Sequence, residues 1–247
     1  MTEGHLPEHF QPTTADQPLT FVCHPGVPCF TECCRELDLA LSPYDVLRLK
    51  QRLQISSTRF LEQYVLIEQD EQQNLPTCYL TMVDDGRASC VFLCKTGCSV
   101  YADRPGSCRG YPVGRGASQT RTSLPEETLV LIREPHCQGF AESSDTQTVA
   151  TYLHSQGMEA YNQKNDLLLP LLQHCRIQSG QFRPSRHQCH QFILALYDLD
   201  QFRLDMTAGH IALQRPLQPG HLRGLAGDDE ELLLLGVHWL LQEFFRE

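Results

Sequence analysis

Four cysteines fall within twelve residues in Cys23-His24-Pro25-Gly26-Val27-Pro28-Cys29-Phe30-Thr31-Glu32-Cys33-Cys34. Glycine and proline bend the chain between them. Bent loops let sulfurs converge on one centre, whereas a straight strand carries its side chains apart. A second cluster, Cys90, Cys94 and Cys98, is followed by Cys108 and later by Cys137 in Pro135-His136-Cys137-Gln138. Nine of the 12 cysteines lie between Cys23 and Cys108. In a reducing compartment such clustering reads as metal or iron–sulfur ligation rather than as disulfides. Any one cysteine alone would read as a small buried hydrophobe, which does not account for the cluster. Neighbouring side chains tend to point apart. Cys33 and Cys34 are therefore expected to serve two centres, or to divide between ligation and another role.

The chain that must position these thiols has 247 residues, enough to bury a real core without help from metals or disulfides. Its net charge is -10, which argues against nucleic acid or an anionic membrane as partner. No apolar run approaches the roughly 18 residues of a membrane span. The first 19 residues lack the basic and apolar regions of a signal peptide, so the expected address is cytoplasmic.

Local patterns predict an α+β, mostly helical fold with an irregular cysteine-rich core and short strands. Residues 1–20 read as a flexible arm, 21–165 as the cysteine-cluster domain and 166–247 as a helical C-terminal region. Ser42, Pro43 and Asp45 open a helix expected over Pro43 to Leu53. A second begins after Ser56 or Ser57, with Phe60, Leu61, Tyr64 and Val65 on it. Strands are expected over Cys78 to Val83 and Thr128 to Arg133. Further helices are expected over Asp145 to Ser155, over Met158 to Leu169 ending at Pro170, and around Phe192 to Tyr197. The last runs from Leu232 to Phe245 behind an acidic start at Asp228 to Glu231, and is apolar on most sides, which calls for burial.

The cysteine segments resemble the YkgJ-like cysteine-cluster family, described as a zinc- or iron-chelating domain and as Fe–S-cluster-containing protein. The residues that carry the resemblance are Cys23, Cys29, Cys33 and Cys34, then Cys90-Val91-Phe92-Leu93, then Cys98-Ser99-Val100-Tyr101-Ala102-Asp103-Arg104-Pro105-Gly106-Ser107-Cys108-Arg109-Gly110-Tyr111-Pro112, then Cys137. Ser42-Pro43-Tyr44-Asp45-Val46-Leu47-Arg48-Leu49 resembles the family's T/S-x-x-D-x-x-R-L helix. The likeness covers about residues 21–165. It departs from the family pattern in the spacing of the first cluster, where five and three residues replace two and two, and in the extra thiol Cys94.

The resemblance implies eight metal-ligating cysteines: Cys23, Cys29, Cys33, Cys34, Cys90, Cys98, Cys108 and Cys137. They would form two four-thiolate centres, or one [4Fe–4S] centre with four spare thiols. Zinc and iron–sulfur clusters both accept four thiolates. The absence of histidine from the pattern, together with the family description, favours an iron–sulfur cluster over zinc. Arg104 and Arg109 flank Cys108, where a guanidinium would offset thiolate charge or pair with an acid such as Asp103. Tyr101 and Pro105 are expected to pack around the site.

Two functions from different classes follow. The first is a cytoplasmic metal-binding protein. The alternative comes from the family's flagellin lysine N-methylases: S-adenosylmethionine-dependent methyl transfer to a protein substrate or partner. Arg104, Arg109 and Tyr111 are the candidate cofactor-binding residues for that reading, and no Rossmann glycine motif is present.

Weaker signals read as structural. His174, Cys175, His187, Cys189 and His190 match no zinc module. Cys78 reads as strand packing. Gly114-Arg115-Gly116, with Arg121 nearby, reads as a solvated loop.

Overall fold

A computed structural model describes residues 9–69, 75–119, 125–141, 145–213, 216–217 and 219–246. Arg121 lies outside them. The fold is α+β, mostly helical with short strands. It divides into two compact units, one of residues 1–38 and 82–163, the other of 39–81 and 164–247. The unit changes at 163/164, and 39–81 groups with the C-terminal helices and not with the cysteine segments. That helix-and-hairpin stretch carries apolar faces of its own, and these drive its choice of unit.

In the first unit the central strand Glu126–Ile132 pairs antiparallel with Phe10–Thr13 on one side and Val113–Ser118 on the other. Pro18–Thr20 pairs antiparallel with Thr146–Thr148. Residues 10–13 and 18–20 therefore form strands, where the sequence suggested a flexible arm. Pro12 sits on an edge strand, where a missing N–H costs no ladder bond. The strands cover a core of Leu19, Phe21, Val113, Leu129, Leu131, Val149 and Tyr152. Gly114-Arg115-Gly116 lies inside a strand, not a loop. A Cβ at Gly114 would come 2.9 Å from Val130 Cγ2, and Arg115 pairs with Glu127 at 2.5 Å. The helix expected from Asp145 begins only at Val149, capped by Thr148 Oγ1, because 146–148 is taken by the strand.

In the second unit the helix Pro43–Leu53 starts on a capping box between Ser42 and Asp45. Ser56 caps the helix Ser57–Tyr64. Val65 leaves that helix to open the strand Val65–Glu68, paired with Thr77–Leu80. Thr81 separates that strand from Met82–Val83, so the expected Cys78 to Val83 strand is two. The helix Met158–Asp166 begins in the first unit and ends before Pro170, which opens the next short helix, Leu169–Leu172. The last helix, Asp229–Phe245, buries Leu232, Leu233, Leu235, Val237, Trp239, Leu240 and Phe244, as its all-round apolarity requires. A Cβ at Gly236 would meet Ala195 O at 2.2 Å, so this helix runs tightly against Arg186–Leu196. His174 stacks on Phe245 with ring centroids 3.6 Å apart, and buried Cys189 accepts from Gln69 Nε2 at 3.0 Å. Cys175, His187 and His190 are exposed. Among the described residues no helix is long and apolar enough to cross a membrane.

Candidate metal centre

The cysteine segments are brought together by backbone contacts within the first unit. The isolated bridge Arg35↔Ser89 and the bond from Glu36 N to Ala88 O, 3.0 Å, lay the end of the first cluster along the start of the second. The Arg35 guanidinium bonds Ser89 Oγ, and Arg87 pairs with Glu32 at 2.6 Å. Cys90 ends a two-residue strand paired with Met82–Val83. Cys94 and Cys98 sit on a tight hairpin, Leu93–Cys94 against Gly97–Cys98. Gly97 has φ 118° and lies so close to Phe30 that a Cβ would come 3.2 Å from its ring.

The Cys137 segment closes onto the first cluster from another direction. Val22 N donates to Gly139 O at 3.1 Å, and Gln138 N donates to Cys29 Sγ at 3.1 Å. A Cβ on Gly139 would come 2.3 Å from Val22 O. No side chain fits there without moving the backbone.

The thiols interact accordingly. Although Cys23 is exposed as a residue, desolvation of its sulfur, then the thiols of Cys33, Cys29 and Cys137, pushes it up to about 11, with Arg104 opposing. Cys33 is raised first by its hydrogen bond with Cys34, then by burial. The two adjacent thiols thus act on each other electrostatically. The pair lies on the tight helical turn Glu32–Cys34, where the alternation of a strand does not hold. Burial raises Cys90, with Cys98 and Cys33 adding to the shift and the N–H groups of Phe92 and Leu93 opposing it. Burial likewise raises Cys98, opposed by the Val100 N–H and Arg104. Cys33 is therefore within electrostatic range of both Cys23 and Cys90. Cys108 is exposed on the short helix Gly106–Gly110. Among the described residues no three His, Cys, Asp or Glu side chains are grouped closely enough to hold one ion as placed.

Arg104 is buried and donates to Tyr101 O and to Gln156 Oε1, each at 2.7 Å, with its guanidinium 3.9 Å over the Tyr101 ring. It is the cation within electrostatic range of Cys23 and Cys98. Arg109 donates to Gln156 O at 2.6 Å and to Ala102 O, and lies over the Tyr161 ring. Tyr111 packs edge-on to Phe21, beside Cys137 and Glu134. Glu134, Gln138, Gly139 and Gln156 are neighbours that the sequence reading did not single out. Only the proximity of 134–139 to Cys137 along the chain could have flagged them, and Gln156 carried no signal.

Residues 22–138 match the family model described as "CxxCxxCC: Putative zinc- or iron-chelating domain". The matched stretch runs from just before Cys23 to just beyond Cys137 and so takes in both cysteine clusters. No curated protein matches the chain, and no solved structure does.

Proposed function

We propose that this protein holds a metal centre on cysteine thiolates, with an iron–sulfur cluster as the first reading and zinc as the other thiolate chemistry. Cys23, Cys29, Cys33, Cys34, Cys90, Cys98, Cys108 and Cys137 would be its ligands. The donor set fits either group: soft sulfur donors, drawn from loops and hairpins that approach one another. A bound cluster would supply electron transfer or sensing, and zinc would supply a fixed scaffold. The chain's own contribution is to gather the thiols and balance their charge. Arg104 opposes the burial that raises the Cys23 and Cys98 thiols, and the Gln138 N–H donates to Cys29.

One observation carries the reading: the 23–34, 90–98 and 137–139 segments meet, so that Cys23 is within electrostatic range of Cys29, Cys33 and Cys137, and Cys33 of Cys90. The methyltransferase alternative gains no such support. The guanidinium groups of Arg104 and Arg109 are engaged with carbonyls 101, 102 and 156 and with the Gln156 side chain, rather than turned to a donor's carboxylate. A shallow depression of about 420 Å³ is lined by Glu36, Met82, Asp84 and Arg87, none of them a candidate for that role. Anaerobic purification with metal and sulfide analysis tests the proposal. Iron with matching acid-labile sulfide and absorption near 400 nm, or stoichiometric zinc without colour, is expected. Metal-free protein that takes up neither on reconstitution would reject it.

A further inference from the structure

The Tyr111 ring is fixed from several sides. It meets Phe21 edge-on at 6.1 Å, its carbonyl accepts from Tyr152 Oη, and it packs with Cys137 against the core of Leu19, Phe21, Val113, Leu129, Leu131, Val149 and Tyr152. Its hydroxyl is nevertheless buried and completes no hydrogen bond of good geometry. Its polar neighbours are the thiol of Cys137 and the carboxylate of Glu134. A buried donor left unsatisfied costs stability, and phenylalanine would fill the same space without that cost. Packing therefore explains the ring but not the hydroxyl.

We infer that the Tyr111 hydroxyl donates a hydrogen bond to the sulfur of Cys137 when that sulfur ligates metal, which makes Tyr111 a positioning residue of the centre; this rests on the metal-binding reading above. A neutral thiol is a weak acceptor, while a metal-bound thiolate is charged and accepts strongly. Such outer hydrogen bonds orient a ligand and set the electron density it gives the metal. Glu134 is the competing acceptor.

The test uses the full chain, with zinc and cobalt(II) ions as probes. Zinc affinity is read by competition with a chromophoric chelator, and the sulfur-to-cobalt charge-transfer band by absorption. Tyr111→Phe should bind zinc with unchanged stoichiometry, with affinity lowered roughly tenfold, at the low end for an outer-shell loss. Its cobalt band should move to lower energy. If the wild type binds neither ion, this inference fails, and the site reading fails with it only if reconstitution with iron and sulfide fails too. If the wild type binds and Tyr111→Phe matches it in affinity and band position, the inference alone fails. Glu134→Gln removes the competing carboxylate and keeps the hydroxyl. It should bind as tightly as wild type or more so, whereas a loss of roughly tenfold would assign the hydroxyl to Glu134 and overturn the inference. This second variant decides the matter even if Tyr111→Phe does not fold.

Discussion

Gln138 N–H donates to the sulfur of Cys29 at 3.1 Å, across 109 positions of sequence. The bond ties the late cysteine segment to the first cluster. A sulfur that accepts an N–H is also poised to carry negative charge, so the same contact serves fold and ligand.

Cys33 is within electrostatic range of Cys23, Cys34 and Cys90, while Cys78 is fully buried in the strand Thr77–Leu80 of the other unit. Cys33→Ser should weaken metal retention by more than the roughly 10–100-fold that loss of an outer-shell partner costs, since an alcohol is a poor soft-metal ligand. Cys78→Ser should keep full metal content and lose about 1–3 kcal/mol of stability through a buried hydroxyl. Metal analysis beside denaturant unfolding separates the two.

Gly139→Ala would drive a Cβ to 2.3 Å from Val22 O, which is backbone and has to move. A cost of about 1–3 kcal/mol is expected, together with loss of metal as the Cys137 segment lifts away. Gly116→Ala meets nothing closer than Thr128 O at 3.9 Å and should be near neutral. Thermal melts and metal content of the two variants check this.

Cys94 is exposed on its hairpin, and the Thr96 hydroxyl, with the Thr96 and Gly97 N–H groups, lowers its thiol below the ordinary range. Cys23 is pushed the other way, to about 11. In metal-free protein at neutral pH, iodoacetamide should label Cys94 before Cys23, because the thiolate is the nucleophile. Peptide mass spectrometry over a labelling time course reads the order. Cys94→Ser should leave metal content unchanged.

Lys50 is buried between Asp200, 3.0 Å, and Asp229, 2.9 Å, and Arg203 bonds both carboxylates. Burial raises both carboxylates. The Ser57 N–H and Lys50 outweigh it at Asp200, and Arg203 and Lys50 at Asp229, so both lie below their ordinary value. Their stabilisation is present above the unfolded carboxylate value of about 3.9 and is lost as pH falls below it. Lys50→Met should cost about 2–3 kcal/mol at pH 7, less than a fully buried pair because Asp200 keeps 28% exposure. The difference between variant and wild type should shrink as pH falls from 4 to 2. Unfolding at a series of pH values measures it.

Helices with local signals were legible in the sequence. Ser42 with Asp45, Ser56, and the acidic start before Leu232 mark their helices by chemistry within one turn. The cysteine clustering and the Arg104 to Cys108 segment pointed to the family now matched over 22–138. What escaped depends on partners far along the chain. Residues 10–13 are a strand only because 129–132 lies beside them, and Gly114 to Gly116 are strand only because 128–130 does. The grouping of 39–81 with the C-terminal helices is equally non-local. The tight helical turn Glu32–Cys34 that carries the adjacent pair has no marker in the sequence. Gln156, which holds both Arg104 and Arg109, is an ordinary polar residue until the fold delivers it.

X-ray absorption at the metal edge of the loaded, full-length protein tests the central claim most directly, because it reads the ligand atoms themselves. A first shell of sulfur alone is predicted, at about 2.3 Å if the metal is zinc, with an added iron–iron distance if it is a cluster. A first shell of nitrogen and oxygen without sulfur would contradict the account.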